Sequence, residues 1–501
     1  MNKTELTALS AAAIARKICG GSISCVEVTD AFLDRISDLN PVLNAVCTLN
    51  EGARDQAAQA DQRLARGEPT RPLEGVPFLV KDILQTKGIR TTFGSLIRQN
   101  FIPQEDALSV ERLKEAGGIL LGKTNTPEFA HDVNTNNRVF GTTRNPFDVN
   151  VTAGGSSGGS GSAVASGMAP IALGTDLGGS IRIPCSYNNL VGIRPSPGRV
   201  PFYPTDFGWD TLVEHVQGPM TRTVTDLGLA LAVLAGPDPR DPSSLPAAMC
   251  DYCEAASGEW SLEGQRIAYV GNLNGLFPLD REVEQLTRAA AQQFEQLGCV
   301  VEEATFDVTG IREIVTGTRG FGMVGRYADL FDEHKEDMTL QLVNQVTNAL
   351  SLDLRTILKA EKLRTEYWHR IRRFMEDYDY LIAPAVGAPP FRLDEPLPDK
   401  VNGETVERYY DVYLSAYAFS VTGLPITAVP CGLTADGLPV GMQIVGHRHR
   451  DDSVISAAAA YERVCSSRFI SPDIRLDDVN PISPELDTPG LSVTTSKDGD
   501  K

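Results

Sequence analysis

The chain has 501 residues, with 46 Lys and Arg against 65 Asp and Glu, a formal charge of −19 and a pI near 4.8. That balance argues against a nucleic-acid partner, whose phosphates need a basic face, and against an anionic membrane surface. A hydrophobic content of 42% over this length is enough to bury a large core and a dry site within it. Nine cysteines, odd in number and scattered, give no disulfide framework and suit a reducing, cytoplasmic compartment. Cys250 and Cys253 form a C-x-x-C with no second pair or nearby histidine, and His447 and His449 stand alone, so no metal site is expected. The first residues carry no apolar signal segment, and no uncharged apolar run approaches ~18 residues.

Residues 4–66 read as helices. Ile14, Ile18, Val28, Phe32, Leu33 and Ile36 recur at helical spacing, Asn40-Pro41 is a break, and residues 51–66 are rich in Ala, Gln and Arg. From residue 70 the texture changes. Short apolar runs at 76–80, 119–121, 171–173, 267–270, 380–382, 426–429 and 440–445 predict strands. Helical stretches at 108–116 and 163–168 lie between the first of them. This alternation indicates an α/β fold with a mainly covered sheet. Residues 70–236 form the expected catalytic core, 236–246 an exposed Pro-rich connection, and 310–420 a helical, aromatic, cap-like region. One domain is expected over residues 1–465. The polar stretch 466–501 is expected to be a disordered tail.

Three segments carry chemistry. Residues 154–162 are only Gly and Ser. A flexible linker is disfavoured because apolar elements flank the run closely. A phosphate loop needs a lysine at its end, and none follows. Gly154–Gly158 fits the G-x-S-x-G of a nucleophile elbow, but that reading needs an Asp and a His in evident motifs. The second segment is Gly174-Thr175-Asp176-Leu177-Gly178-Gly179-Ser180-Ile181-Arg182-Ile183-Pro184. Its Gly-Gly step lets the backbone turn sharply, and successive N–H groups beside a serine hydroxyl can hold an oxyanion. The third is Lys81, which closes an apolar run. Burial disfavours an ammonium, and a neutral lysine is a competent base. From that segment alone, a strand-capping lysine paired with Asp82 is the simpler reading.

Taken together, these segments resemble the amidase signature family. Residues 75–82, 122–129, 140–146, 154–162, 174–184, 192–200, 218–220, 423–425 and 437–443 match its blocks in order, from about residue 4 to 462. The resemblance implies the family's fold, a mixed central β-sheet with helices on both faces. It implies an amide hydrolase that needs no cofactor and acts on a small-molecule amide, in a family where homodimers are common. Ser180 would be the nucleophile. Ser156, 24 residues earlier, would bridge to it on a cis peptide, and Lys81 would be the base. The N–H groups of Leu177, Gly178, Gly179 and Ser180 would hold the oxyanion. Ser157, Asp176 and Arg182 would brace the site. One departure follows Pro184, where Cys185-Ser186-Tyr187-Asn188-Asn189 replaces a run of small residues with Cys-Gly.

Within the family, the glutamine-hydrolysing subunit of tRNA-dependent amidotransferases typically carries Gln where this chain has Ile183, which favours a stand-alone amidase. A silent scaffold is a reading of another class, and the intact Lys81, Ser156 and Ser180 oppose it. Phe129, Ala130, Phe202, Phe207 and Trp209 are candidate walls of an apolar acyl or aryl pocket, against the alternative of ordinary lid packing.

Overall fold

A computed structural model describes residues 1–205, 215–476 and 479–483. The chain opens with four helices, α1 (Lys3–Ala8), α2 (Ala11–Cys19), α3 (Cys25–Leu43) and α4 (Ala53–Ala65). Ser24 begins α3 with a capping box, its side chain taking the Glu27 N–H while Glu27 reaches back. Between α3 and α4 lies a strand, β1 (Val46–Leu49), where the sequence pattern predicts only helix. β1 is a short, partly exposed edge strand, too brief to show an alternation.

The chain continues as β2 (Pro77–Lys81), α5 (Leu108–Glu115), β3 (Ile119–Thr124), α6 (Gly158–Ala165), β4 (Ile171–Asp176), α7 (Arg182–Tyr187), β5 (Val191–Arg194), β6 (Val216–Thr221) and α8 (Val224–Leu234). Then come α9 (Tyr252–Ala255), β7 (Arg266–Tyr269), α10 (Arg281–Gln292) and β8 (Val300–Glu303). Three helices stand together as α11 (Ile311–His334), α12 (Leu340–Leu350) and α13 (Leu354–Phe374). The chain returns through β9 (Tyr380–Pro384), a small hairpin of β10 (Lys400–Val401) and β11 (Glu404–Thr405), α14 (Leu414–Ser420), β12 (Ile426–Leu433), β13 (Pro439–Val445) and α15 (Asp451–Val464).

Eleven strands make one mixed sheet in the order β1-β3-β2-β4-β6-β5-β12-β13-β9-β7-β8. β3, β2 and β4 are parallel, as are β9, β7 and β8, and the strands between them run antiparallel. Every residue of β2, β3, β4 and β9 is buried, as continuous apolar runs covered on both faces should be. The expected mixed sheet flanked by helices is therefore present. The described part of the C-terminal stretch lies against the body. Asn189 donates to the carbonyls of Arg468 and Ile470, and the Ser483 N–H donates to the Leu393 carbonyl at 2.6 Å.

The Gly/Ser run is a buried helix start, not a linker. α6 begins at Gly158, and Gly159 passes so close to the Asn125 backbone at the end of β3 that a Cβ there would collide with it. A side chain would push α6, and the serines ahead of it, off the sheet. Gly159→Ala is expected to lower the unfolding free energy by about 1–3 kcal/mol in urea titrations, the usual penalty for overpacking.

Candidate active site

β2, β3 and β4 end side by side at Lys81, Thr124 and Asp176, with Lys81 in register with Thr124. The carboxyl ends of parallel strands are where open α/β sheets bind ligands. Lys81 has no exposed surface. Its Nζ donates to Ser156 Oγ at 2.6 Å and to Thr175 Oγ1 at 2.9 Å. Burial holds its pKa well below the usual 10.5, and the charge of Asp176 opposes this only in part. Among the described residues no carboxylate pairs with it; Asp82 instead accepts from the Thr92 hydroxyl and N–H. The pairing with Asp82 considered from sequence is absent among the described ion pairs.

Ser156 follows Gly155 through a cis peptide bond, and its carbonyl accepts from Thr126 Oγ1 at 3.0 Å. Ser157 Oγ donates to the Thr175 carbonyl and accepts from the Thr175 N–H, both at 3.3 Å. The Ser157 N–H donates to the Ser180 carbonyl at 3.2 Å. The backbone of Ser180 is thus hung on the residue next to Ser156. Ser156 is buried whereas Ser180 is half-buried.

Asp176 organises the turn between them. Its carboxylate accepts from the N–H groups of Gly179 at 2.8 Å, Ile181 at 3.2 Å and Arg182 at 3.4 Å. The Arg182 guanidinium meets it at 2.9 and 3.0 Å, and Arg194 approaches to 3.6 Å. Burial alone would raise this carboxyl, but the two guanidinium groups outweigh it and hold the pKa at about 2. Arg182 also donates to the Ala416 carbonyl, Gln443 Oε1 and Ser420 Oγ, at 2.9, 2.8 and 2.5 Å. Of the four turn N–H groups assigned from sequence to an oxyanion, that of Gly179 is engaged by Asp176. Those of Leu177, Gly178 and Ser180 have no partner among the described residues.

The residues after Pro184 anchor the site from behind. The Gly441 N–H donates to Ser186 Oγ at 2.8 Å, Tyr187 OH donates to the Ala388 carbonyl, and Asn188 Nδ2 donates to the Ala153 carbonyl at 2.8 Å. These polar side chains bind strands and loops that small residues would leave untied.

Of the candidate pocket residues, Phe129 and Ala130 sit on the loop after β3 in left-handed backbone, φ 47° and 64°. Phe129 is buried between Phe93 and Tyr327, with ring centroids 6.0 and 5.2 Å away, under α11 and α12. Phe202 lies 4.8 Å from the ring of His215, which is near enough to the site to feel the charges of Lys81 and Asp176. Phe207 and Trp209 fall outside the described residues. His131 and His215 are both held neutral, by burial first and then by nearby cations; His215 is pushed down to about 3.

Sequence reasoning missed Thr175, Gln443, Arg319 and Tyr417. Thr175 has a local signal, since it precedes Asp176 at the strand end. Tyr417 has none. It comes from α14 and lies flat enough on Gly178 that any Cβ there would enter its ring. Arg319, on α11, donates to the Tyr417 hydroxyl.

The family model for amidases matches residues 27–455. The chain is 35% identical to an acylamidase of Rhodococcus erythropolis, over 93% of this chain and 97% of that one. It is 33% identical to a glutamyl-tRNA(Gln) amidotransferase subunit of Desulforapulum autotrophicum, over 93% and 98%. A crystal structure of a bacterial aryl acylamidase of the amidase signature family superposes with a TM-score of 0.84, at 33% identity over 92% of this chain and 97% of that one. A 6-aminohexanoate cyclic dimer hydrolase also superposes at 0.84, with 28% identity over 94% and 99%. The protein is an amidase signature enzyme. Its membership of that family fixes the class, an amide-bond hydrolase, as the sequence motifs imply. Among the described residues no helix is long and apolar enough to cross a membrane.

Two outcomes follow from this geometry. Asp176→Ala leaves two buried guanidinium groups without their carboxylate and should cost about 3–5 kcal/mol in denaturant unfolding. Lys81 is neutral when folded but binds a proton when unfolded, so the unfolded state holds more protons between its lowered folded pKa and 10.5. Its contribution to stability therefore rises with pH across that window. Unfolding free energies of wild type and Lys81→Met, compared from about pH 7 to 10, should show wild type gaining on the variant as pH rises.

Proposed function

We propose that this enzyme hydrolyses a carboxylic amide to acid and amine through an acyl-enzyme on Ser180, with Ser156 as the bridge and Lys81 as the base. The observation that carries this reading is the 2.6 Å contact between a fully buried, carboxylate-free Lys81 and Ser156 Oγ. A lysine kept neutral by desolvation can take a proton from Ser156 as Ser156 takes one from Ser180. Ser180 then attacks the carbonyl. The negative oxygen is received by the free N–H groups of the turn, with Gly179 joining if its bond to Asp176 yields. The proton returns along the same path to the leaving nitrogen, and water cleaves the ester. Ser157, Asp176 and Arg182 hold the turn in shape throughout.

Relatives named acylamidase and aryl acylamidase support a stand-alone amidase that releases an amine. The amidotransferase component is the second reading, supported by comparable identity. Ile183 favours the first, because it packs its side chain beneath Gly179 where that component typically has Gln. The cytoplasm is the proposed site of action, in keeping with nine free thiols, five of them buried.

A panel of simple amides, anilides, esters and L-glutamine tests the assignment. Ser180→Ala and Lys81→Ala are each expected to lower kcat by at least about 10³-fold, as in other serine nucleophile systems. A serine-directed fluorophosphonate should label Ser180 in wild type. Activity should fall in acid as Lys81 gains a proton, and persist at neutral pH because burial keeps it deprotonated there. Turnover surviving in Ser180→Ala would refute the nucleophile; glutamine as sole substrate would establish the second reading.

A further inference from the structure

Arg319 projects from α11 toward the Gly178–Gly179 turn and is half-buried. Its guanidinium makes three side-chain hydrogen bonds. One Nη1 N–H goes to the Tyr417 hydroxyl, and Nη2 meets Gln345 Oε1 at 2.9 Å and His131 Nδ1 at 3.4 Å. All three partners are neutral, for His131 is held deprotonated by burial and by the Arg319 charge itself. Among the other buried arginines, some end on a carboxylate and some on backbone carbonyls alone. Arg182 meets Asp176, Arg199 meets Asp451, and Arg222 meets the backbone carbonyls of Thr7 and Leu9. Withdrawing a cation from water without an anion is unfavourable, and Arg319 has no carboxylate within ion-pair distance among the described residues.

A second group converges on the same place. The Tyr417 hydroxyl accepts from Arg319, which leaves its own proton without an acceptor among the described residues. The Tyr417 ring lies on Gly178, so this hydroxyl stands beside the turn that holds the nucleophile, with the guanidinium one hydrogen bond beyond. A carboxylate placed there would take a hydrogen bond from the tyrosine and one or two from the guanidinium. The protein as a whole carries −19 and repels anions, so a local cation is what an anionic substrate requires.

We propose that Arg319 and Tyr417 form a receptor for a carboxylate on the substrate, so that the preferred substrates are amides bearing an anionic group a few bonds from the scissile carbonyl. This rests on the amidase reading. Monoamides of dicarboxylic acids and oligoamides of ω-amino acids have this chemistry; simple alkyl amides do not.

The test compares two amides of equal carbon count, hexanamide and the monoamide of adipic acid. Wild type is expected to favour the monoamide in kcat/KM by at least about tenfold, the scale of one charge-assisted hydrogen bond. Arg319→Gln should lose that preference, Arg319→Lys should restore part of it, and Tyr417→Phe should weaken it. Tighter binding of the monoamide than of hexanamide to Ser180→Ala, measured by calorimetry, gives the same comparison without turnover. Equal use and equal binding of the two amides by the wild-type site would overturn the receptor while leaving amide hydrolysis intact. So would an Arg319→Gln protein, folded by its thermal transition, that loses both activities in equal measure, since that marks a purely structural arginine. Hydrolysis of either amide by Ser180→Ala would instead refute Ser180 as the nucleophile, and the amidase reading itself fails if wild type hydrolyses neither of these amides nor any other amide of the panel.

Discussion

The removal of Lys81 from water is the constraint on which the site depends. An exposed lysine holds its proton at neutral pH and cannot accept one from a serine. Here β2 carries Lys81 into the sheet between β3 and β4, and among the described residues it has only hydroxyl partners, Ser156 and Thr175. A carboxylate beside it would undo the arrangement by restoring the ammonium. The nearest acid with influence, Asp176, is prevented from doing so by geometry and by two arginines that absorb its charge.

Asp176 therefore serves two ends. It shapes the Gly178–Gly179 turn by accepting three backbone N–H groups, and its own charge is balanced by Arg182 and Arg194. Arg182 extends this balance outward to Ala416 and Ser420 of α14 and to Gln443 of β13. The turn, the last helix before the final hairpin, and that hairpin are one hydrogen-bonded unit around Asp176 and its two buried arginines. Breaking such a unit leaves an uncompensated charge, whereas replacing its outermost neutral members removes only one bond each.

The sequence reveals the parts of the site that are local in the chain. Lys81 ends an apolar run, and Ser156 and Ser180 sit in glycine-rich turns, so spacing and composition mark them. β2, β3, β4, β7, β9, β12 and β13 also read as apolar runs. β5 and β6 do not, because Gly192, Gly218 and Pro219 interrupt them, and Pro219 stands inside a central strand where a proline is rarely expected. The β6-β5 part of the antiparallel middle is illegible for that reason. Tyr417 and Arg319 are illegible for another. Arg319 is an ordinary residue on a long, partly exposed helix and Tyr417 one on a short, nearly wholly buried helix, and only tertiary packing brings α14 and α11 over a turn more than a hundred residues earlier.

The order of the strands has a consequence for how the protein is made. β5 gains its second neighbour only from β12, and the Arg182 side chain is completed by α14 and β13. A chain growing from its N-terminus can form the parallel trio that carries Lys81, but it cannot finish the turn around Ser180 until residues 414–445 have emerged from the ribosome. Through most of its synthesis the nascent chain holds Ser180, the proposed nucleophile, without the scaffold that orients it. Hydrolytic competence arrives late and as a single event, with the closing of the sheet.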